Sequence, residues 1–286
     1  MLRVLARHPS DIKFNVILAD PPYNIGKDFG NNSDRLPLND YIAWSHQWLA
    51  RCLDLLADNG IIYIYGFAEI LARIAVLYPP QQQRWLVWHY TNKAAPSATF
   101  WQRSHESILC LWKLGEHRPK LEIDQIREPY TEGYLNNAVG KRRAGTVSRF
   151  GGNSGRVTTY KAHKDGALPR DVLKVPALAG GAGASERWFM CRSCGDEVYP
   201  PREIARHREC RLLKHPTQKP MQLTERLIRS RIRGRRGRVL IPFAGSGSEC
   251  IVAEDLGVEW RGIEINPLYV KFARRWMKKR SSPCTG

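Results

Sequence analysis

The stretch Val16-Ile17-Leu18-Ala19-Asp20-Pro21-Pro22-Tyr23-Asn24 decides how this chain is read. Its apolar, partly β-branched start has the composition of a buried strand. Two prolines then stop the strand, because proline fixes its own φ and has no N–H to give to a sheet ladder. Asp20 and Tyr23 are therefore expected on a stiff corner at a strand's C-terminal edge, where open α/β sheets bind ligands. Taken alone, Asp-Pro-Pro-Tyr is more often a strand-ending turn than a site. Its weight depends on the rest of the chain.

Working outward, residues 24–37 are polar and read as a loop beside that corner. Tyr41, Trp44, Trp48, Cys52 and Leu55 recur at helical spacing, with Asn39 or Asp40 as cap and Asn59-Gly60 as the stop. Ile61 to Tyr65 reads as a buried strand and Ala68 to Tyr78 as a helix. Arg84 to Trp88 and Ser107 to Trp112 read as two further strands. From Gly115 to Ser185 the rhythm fades into a polar, Gly- and Arg-rich region without enough periodic apolar sequence for its own core. Pro176 to Ser185 has the composition of a flexible linker. The rhythm returns after His215, with helices over 221–232, 248–256 and 268–277 and strands over 238–241 and 260–263. This alternation predicts an α/β fold with a doubly wound, mostly parallel sheet.

Composition narrows the function classes. The 286 residues carry 45 Lys and Arg against 27 Asp and Glu, a formal charge of +18. Such a field favours a polyanion, with nucleic acid ahead of a membrane surface. No run has the apolar length of a membrane span and no signal-peptide pattern opens the chain, so a cytoplasmic protein is expected. Four of the seven cysteines (Cys52, Cys110, Cys250, Cys284) are scattered singly, which is not a disulfide framework. Cys191-x2-Cys194 followed by His207-x2-Cys210 instead has the form of a tetrahedral zinc site, with His215 as the alternative to His207. The surrounding Arg192, Arg202, Arg206, Arg208 and Arg211 make this insert basic. A structural role and a DNA-backbone contact fit it equally well.

A second pattern is Val239-Leu240-Ile241-Pro242-Phe243-Ala244-Gly245-Ser246-Gly247, a strand running into a glycine-rich turn and then a helix. Glycines let backbone approach a nucleotide, and the helix N-terminus offers free amides. Glu264, after the next strand, lies at a distance suited to ribose hydroxyls. The third glycine of a pyrophosphate binder is missing, so an adenosine-containing ligand other than NAD is the better fit.

Together, Asp20-Pro21-Pro22-Tyr23, His215-Pro216-Thr217-Gln218-Lys219-Pro220 and Phe243-Ala244-Gly245-Ser246-Gly247 resemble motifs of the S-adenosylmethionine-dependent amino-DNA methyltransferases. Their order, with the catalytic motif first and the cofactor motifs last, is similar to the permuted β group. The resemblance covers residues 12–112 and 213–280, and Asp171-Val172-Leu173 followed by Pro176 also resembles a segment these enzymes carry before His-Pro-Thr. It implies a Rossmann-like methyltransferase fold with a catalytic half over 1–114 and a target-recognition region and linker over 115–187. A small zinc-binding insert over 188–212 and a cofactor-binding half over 213–286 complete the expected organisation.

The resemblance further implies methyl transfer to an exocyclic amine of a base flipped out of double-stranded DNA. Asp20 and the Pro21 carbonyl would accept the amine's hydrogens, with Pro22 stiffening the corner and Tyr23 stacking on the base. Phe243, Ala244, Gly245, Ser246 and Gly247 would line the methionine and adenine side, and Glu264 would hold the ribose. Lys219 and Pro220 would close over the cofactor, with Thr217 nearby. Because His215 then belongs to a cofactor motif, His207 is the expected fourth zinc ligand beside Cys191, Cys194 and Cys210. An Asp at the head of the catalytic motif favours N6 of adenine, whereas Ser there is usual for N4 of cytosine. Nucleoid association and a homodimer follow by analogy. One departure stands out: relatives usually have Asp-Pro-Phe where this chain has Ile241-Pro242-Phe243. That leaves a catalytically impaired, zinc-stabilised DNA-binding protein as a different-class alternative. Arg229 to Arg238 and Lys141 to Phe150 are candidate phosphate contacts, and Trp101 and Tyr134 are candidate stacking residues without an assigned base.

Overall fold

Strand β1 (Phe14–Ala19) sits inside a sheet and is buried along nearly its whole length, as the apolar run Val16–Ala19 requires. The structure is a computed structural model and describes residues 1–26, 34–92, 97–115, 118–144, 157–178, 186–194 and 197–281. A short helix α1 (Leu2–Ala6), not signalled in the sequence, precedes β1. After the corner come α2 (Leu38–Leu55), β2 (Leu56–Gly66), α3 (Ala68–Ala75), β3 (Gln83–His89) and β4 (His105–Leu111). The middle holds α4 (Glu132–Asn137), β5 (Arg142–Ala144), β6 (Val157–Thr159) and β7 (Val172–Lys174). Then follow β8 (Phe189–Cys191), β9 (Glu197–Tyr199), β10 (Leu212–Leu213), α5 (Met221–Arg229), β11 (Arg238–Ile241), α6 (Ser248–Asp255), β12 (Glu259–Gly262) and α7 (Pro267–Ser281).

The main sheet has the order β12-β11-β1-β2-β4-β3-β7. β12, β11, β1 and β2 run parallel, and β7 is parallel to β3. β4 is antiparallel to both of its neighbours. The expected mostly parallel α/β sheet is therefore present. Its β3–β4 pair, though, is a hairpin and not a further crossover.

Alternation along β1 and β11 divides the core into two layers. Val16, Leu18, Val239 and Ile241 pack with Leu223, Leu227 and Ile228 of α5 and with Cys250, Val252 and Ala253 of α6. Ile17, Ala19 and Leu240 pack on the other face with Tyr41, Trp48, Leu49 and Cys52 of α2 and with Leu71 and Ile74 of α3. Helices on both faces make the sheet doubly wound.

Two local expectations shift. Helix α2 ends at Leu55, because Leu56 turns extended and pairs with Phe14 before a register shift brings Ile61 opposite Val16. Its N-cap is Pro37, without a side-chain cap. The segment after residue 170, read as part of an irregular region, supplies β7, and Val175, Ala177 and Leu178 beyond it are buried. Asn92 anchors that stretch by exchanging two hydrogen bonds with the backbone of Ala177. The rest of the expected linker, 179–185, lies outside the described residues, as do 145–150 of the basic Lys141–Phe150 segment.

The chain forms two compact units: residues 1–121 with 171–286, and residues 122–170. The second holds α4 and the β5–β6 hairpin, with Arg127 bonded to the Gly166 carbonyl and Tyr130 stacked on Tyr134. Among the described residues, no helix is long and apolar enough to cross a membrane.

Candidate active site

β1, β11 and β12 end at one edge of the parallel sheet, and their following loops bound a cleft of about 520 Å³. That size suits a small organic ligand. Asp20 and Pro22 line it from the end of β1, Pro242, Phe243 and Gly245 from the end of β11, and Glu264 and Ile265 from the end of β12. Trp44, His215, Thr217 and Tyr269 add to the wall, and Leu36 and the N-terminal residues Met1, Leu2 and Arg3 complete it. β1 turns to β2 on one side while β11 turns to β12 on the other, so the cleft lies at a topological switch point.

The glycine turn is shaped by contacts that allow no side chain. Gly245 has φ of +52°, and a Cβ there would lie 2.6 Å from Nε2 of His215. Gly247 has φ of +83° and would meet Cβ of Ala273 at 2.7 Å. Only glycine adopts such angles freely, so the turn hugs its neighbours with bare backbone. Glu264 braces it from below: its carboxylate accepts from the amides of Gly245 (2.7 Å) and Asn266 (2.8 Å). Each oxygen keeps a second lone pair, so the carboxylate retains capacity for ligand hydroxyls. Ser246 and Ala244 are both buried. Ile241, at the position of the missing carboxylate, is 1% exposed among the apolar residues of the α5–α6 layer.

The Asp20 corner is more elaborate than its four residues suggest. Asp20 Oδ2 lies 2.7 Å from Nζ of Lys219, and both side chains are almost fully buried. Tyr23 donates a bifurcated contact, 3.0 Å to Asp20 Oδ1 and 2.8 Å to Glu106 Oε2. Tyr90 donates to the other Glu106 oxygen at 2.6 Å, and Lys219 is 3.9 Å from Glu106. The Lys219 ammonium also sits over the rings of Tyr65 (5.1 Å) and Tyr23 (5.4 Å). Lys219 donates to the Thr217 carbonyl, which fixes the His215–Pro220 loop against the corner. Pro21 is buried, and the Pro22 carbonyl accepts from Tyr41. Tyr23 is itself buried, edge-on to Phe67 at 5.3 Å. In this conformation its ring has no open face towards a base.

Burial dominates the electrostatics of this cluster. It raises the Asp20 carboxyl pKa, against the opposing pull of Lys219 and the Tyr23 bond. Burial also disfavours the Lys219 charge, but the facing Asp20 and Glu106 carboxylates outweigh it and keep the ammonium protonated. Glu249, 4% exposed at the start of α6, is pushed up to about 7 by burial and by the Asp20 charge. Its partner is the hydroxyl of Ser248, at 2.7 Å.

Glu106, Tyr90, Tyr65 and Glu249 were not singled out in the sequence. Glu106 is the second residue of β4, ahead of its apolar part, and an acid in the first turn of a helix normally just offsets the helix dipole. Nothing local marks either as part of a polar centre.

The cysteine-rich insert folds as a three-stranded sheet of order β10-β8-β9. Its Met190 and Val198 pack against Ile251 of α6 and against Phe272 and Trp276 of α7. The ligand-type atoms of Cys191, Cys194, His207 and Cys210 all lie within 4.8 Å of one another. A tetrahedral zinc with ~2.3 Å bonds to sulfur needs donor atoms roughly 3.8 Å apart, so the spread is close to a metal shell. His207, in the 3₁₀ turn Pro201–His207, stacks on Tyr199 at 4.1 Å, and its buried Nδ1 makes no hydrogen bond. His215 is not part of this group and instead packs edge-on to Tyr269 beside the cleft.

In the basic run Arg229–Arg238, Arg233, Arg235 and Arg236 are exposed, while the other three arginines are bonded within the fold. Arg231 bonds the carbonyls of Asn59 and Lys120, while Arg229 and Arg238 pair with Glu225 and Glu259.

A family model described as DNA methylase matches residues 14–275. The chain is 27% identical to the Type II methyltransferase M.HpaI of Haemophilus parainfluenzae, over 91% of this chain and 67% of that protein. It is also 27% identical to the DNA adenine methyltransferase YhdJ of Escherichia coli (strain K12), over 91% of this chain and 75% of that one. Among solved structures, PvuII DNA methyltransferase (cytosine-N4-specific) superposes with a TM-score of 0.61 at 14% identity, covering 100% of this chain and 85% of that chain. This last likeness concerns the fold.

Proposed function

This chain belongs to the DNA methylase family of N6/N4 amino-DNA methyltransferases, and from that premise we propose that it methylates N6 of adenine in duplex DNA. The observation that carries the proposal is that Asp20 and Glu264 line one cleft at the carboxyl edge of the sheet. An amine held at one end and a ribose held at the other can then share the space. When bound, S-adenosylmethionine supplies an electrophilic methyl group on a sulfonium. The chain offers residues that fit it: a cleft of suitable size, the close-packed Gly245 turn, and the Glu264 carboxylate for ribose hydroxyls.

An exocyclic amine is a poor nucleophile because its lone pair is delocalised into the base. Asp20 and the Pro21 carbonyl accept its two hydrogens, which favours a pyramidal nitrogen with the lone pair directed along the transfer axis. Lys219 supports this role by favouring the ionised form of Asp20, the form that can only accept. Holding nitrogen and methyl in line is positioning work. Tyr23 and Glu106 fix the Asp20 carboxylate, and base stacking by Tyr23 requires its ring to leave the contact with Phe67. Asp at the head of the corner and the likeness to an adenine methyltransferase support adenine over cytosine. Ile241 does not line the cleft, which argues against reading it as a lesion of cofactor binding.

The same reading assigns a structural zinc to Cys191, Cys194, His207 and Cys210, holding the insert as a small metal-stapled core.

Nucleoside mass spectrometry of duplex DNA incubated with the protein and S-adenosylmethionine tests the assignment. 6-Methyladenine is expected. 4-Methylcytosine would overturn the choice of base, and DNA binding without either product would leave a DNA-binding protein that has lost catalysis. Asp20→Ala should abolish methylation while cofactor binding persists, and full activity in that variant would refute the mechanism.

A further inference from the structure

Among the described residues, Trp101 is the most exposed large apolar side chain, at 86%, and its neighbour Phe100 is 79% exposed. Two aromatic rings held side by side in water are costly unless something covers them in use. Their place in the fold says what that is. They lie on the connection between β3 and β4, whose last pair is His89 with His105. β4 enters beside the end of β2, with Ser107 opposite Gly66, and β2 runs parallel to β1, with Ile64 opposite Ala19. The connection therefore projects from the edge that carries Asp20.

The root of this connection is hydrogen-bonded across its two strands and tied to the reaction corner. Tyr90 donates its amide to the Ser104 carbonyl at 2.8 Å, while its hydroxyl reaches Glu106. Arg103, two residues after Trp101, lies 4.2 Å over the ring of Phe67 and pairs with Glu69. Phe67 in turn abuts Tyr23. Near the tip, the Phe100 amide bonds the Ser97 hydroxyl. The aromatic pair is thus displayed from a braced base beside Asp20. Tyr134, by contrast, already has a ring stacked on Tyr130, at 5.0 Å and 7°.

We infer that Trp101, flanked by Phe100, inserts into the base stack of duplex DNA at the gap left by the extruded target base. Extrusion costs the stacking and pairing of that base, and proteins that distort duplexes offset such costs with apolar wedges between base steps. An indole offers a stacking face the size of a base, and the +18 charge of the chain favours a polyanionic duplex as its partner. The inference rests on the reading of the Asp20 corner given above.

The test uses the full-length protein and a duplex containing the methylated site, first located by sequencing DNA from an expressing host. Trp101→Ala is compared with wild type on the matched duplex and on the same duplex with an abasic position opposite the target. With its side chain in solvent, the variant should unfold at the wild-type temperature. On matched DNA, kcat/KM should fall on the order of tenfold to a hundredfold, the range of one base–aromatic stack. On the unpaired target the loss should shrink to less than about threefold, since less work is then needed to extrude the base. Trp101→Phe should restore most of the activity. With 2-aminopurine at the target position, wild type should raise its fluorescence on binding and Trp101→Ala should not. Equal losses on both duplexes, or no loss on either, would overturn the wedge while leaving the methyltransferase reading intact. Absence of methylation by wild type would overturn that reading itself, and the wedge with it.

Discussion

Replacing Glu249 by glutamine should make the protein more stable at pH 8 and leave it unchanged at pH 4.5. Glu249 is 4% exposed, and burial together with the Asp20 charge raises its carboxyl from 4.5 to about 7. Below pH 4.5 the group is neutral in folded and unfolded chains alike, so nothing is lost. As pH rises through 7 the folded protein must ionise a buried acid that the unfolded chain ionised long before. That costs the native state about 3 kcal/mol, at ~1.4 kcal/mol per pH unit between the two values. Glutamine is neutral at every pH, fills nearly the same volume and can still accept from the Ser248 hydroxyl that now bonds Glu249. Urea denaturation of both proteins from pH 4.5 to 8.5 measures the difference directly. The variant should gain about 3 kcal/mol over wild type across the interval, most of it between pH 5 and 7. A difference between the two proteins that does not change with pH would refute the reasoning, because it would mean that the Glu249 carboxyl is not held neutral by burial.

Two further outcomes test separate parts of the structure. Ile241→Asp restores the residue usual in relatives but buries an unpaired carboxylate at a 1% exposed core position, so unfolding should be easier by at least about 3 kcal/mol with no gain in cofactor affinity; wild-type stability with tighter cofactor binding, read by calorimetry, would show that this side chain faces the ligand. Cys191→Ser, or chelation, should lower the thermal midpoint and release about one equivalent of zinc by metal analysis, because the small β8–β9–β10 sheet buries Met190 and Val198, with the partly buried Leu213 beside them, against the α6–α7 layer and depends on the staple; protein purified without chelator that contains no zinc would remove the metal from the account.

What the sequence determined by itself was what short-range chemistry dictates. Proline cannot continue a ladder, so the end of β1 at Asp20 was legible from Pro21 and Pro22 alone. Glycine's freedom at positive φ and the apolar run before it located β11 and its turn, and ligand spacing grouped Cys191, Cys194 and Cys210 with either His207 or His215, the choice of His207 coming from the family resemblance. Strand direction was not legible, because an alternating or apolar run is the same read either way; β3 and β4 became a hairpin by pairing antiparallel with each other, with β4 antiparallel to β2 as well. Val172–Lys174 gave a three-residue signal too short to separate from loop, and became a strand because the edge of β3 offered it hydrogen bonds.

The polar centre belongs wholly to tertiary structure. Asp20, Glu106, Lys219 and Glu249 come from four distant points of the chain; burial raises the Glu249 carboxyl, while the facing Asp20 and Glu106 carboxylates hold the charge on Lys219 against its burial. Burial is a property of the assembled layers, so it cannot be read from any window of sequence. The same holds for Ile241, whose departure from its relatives reads as a defect in one dimension and as a packed core residue in three.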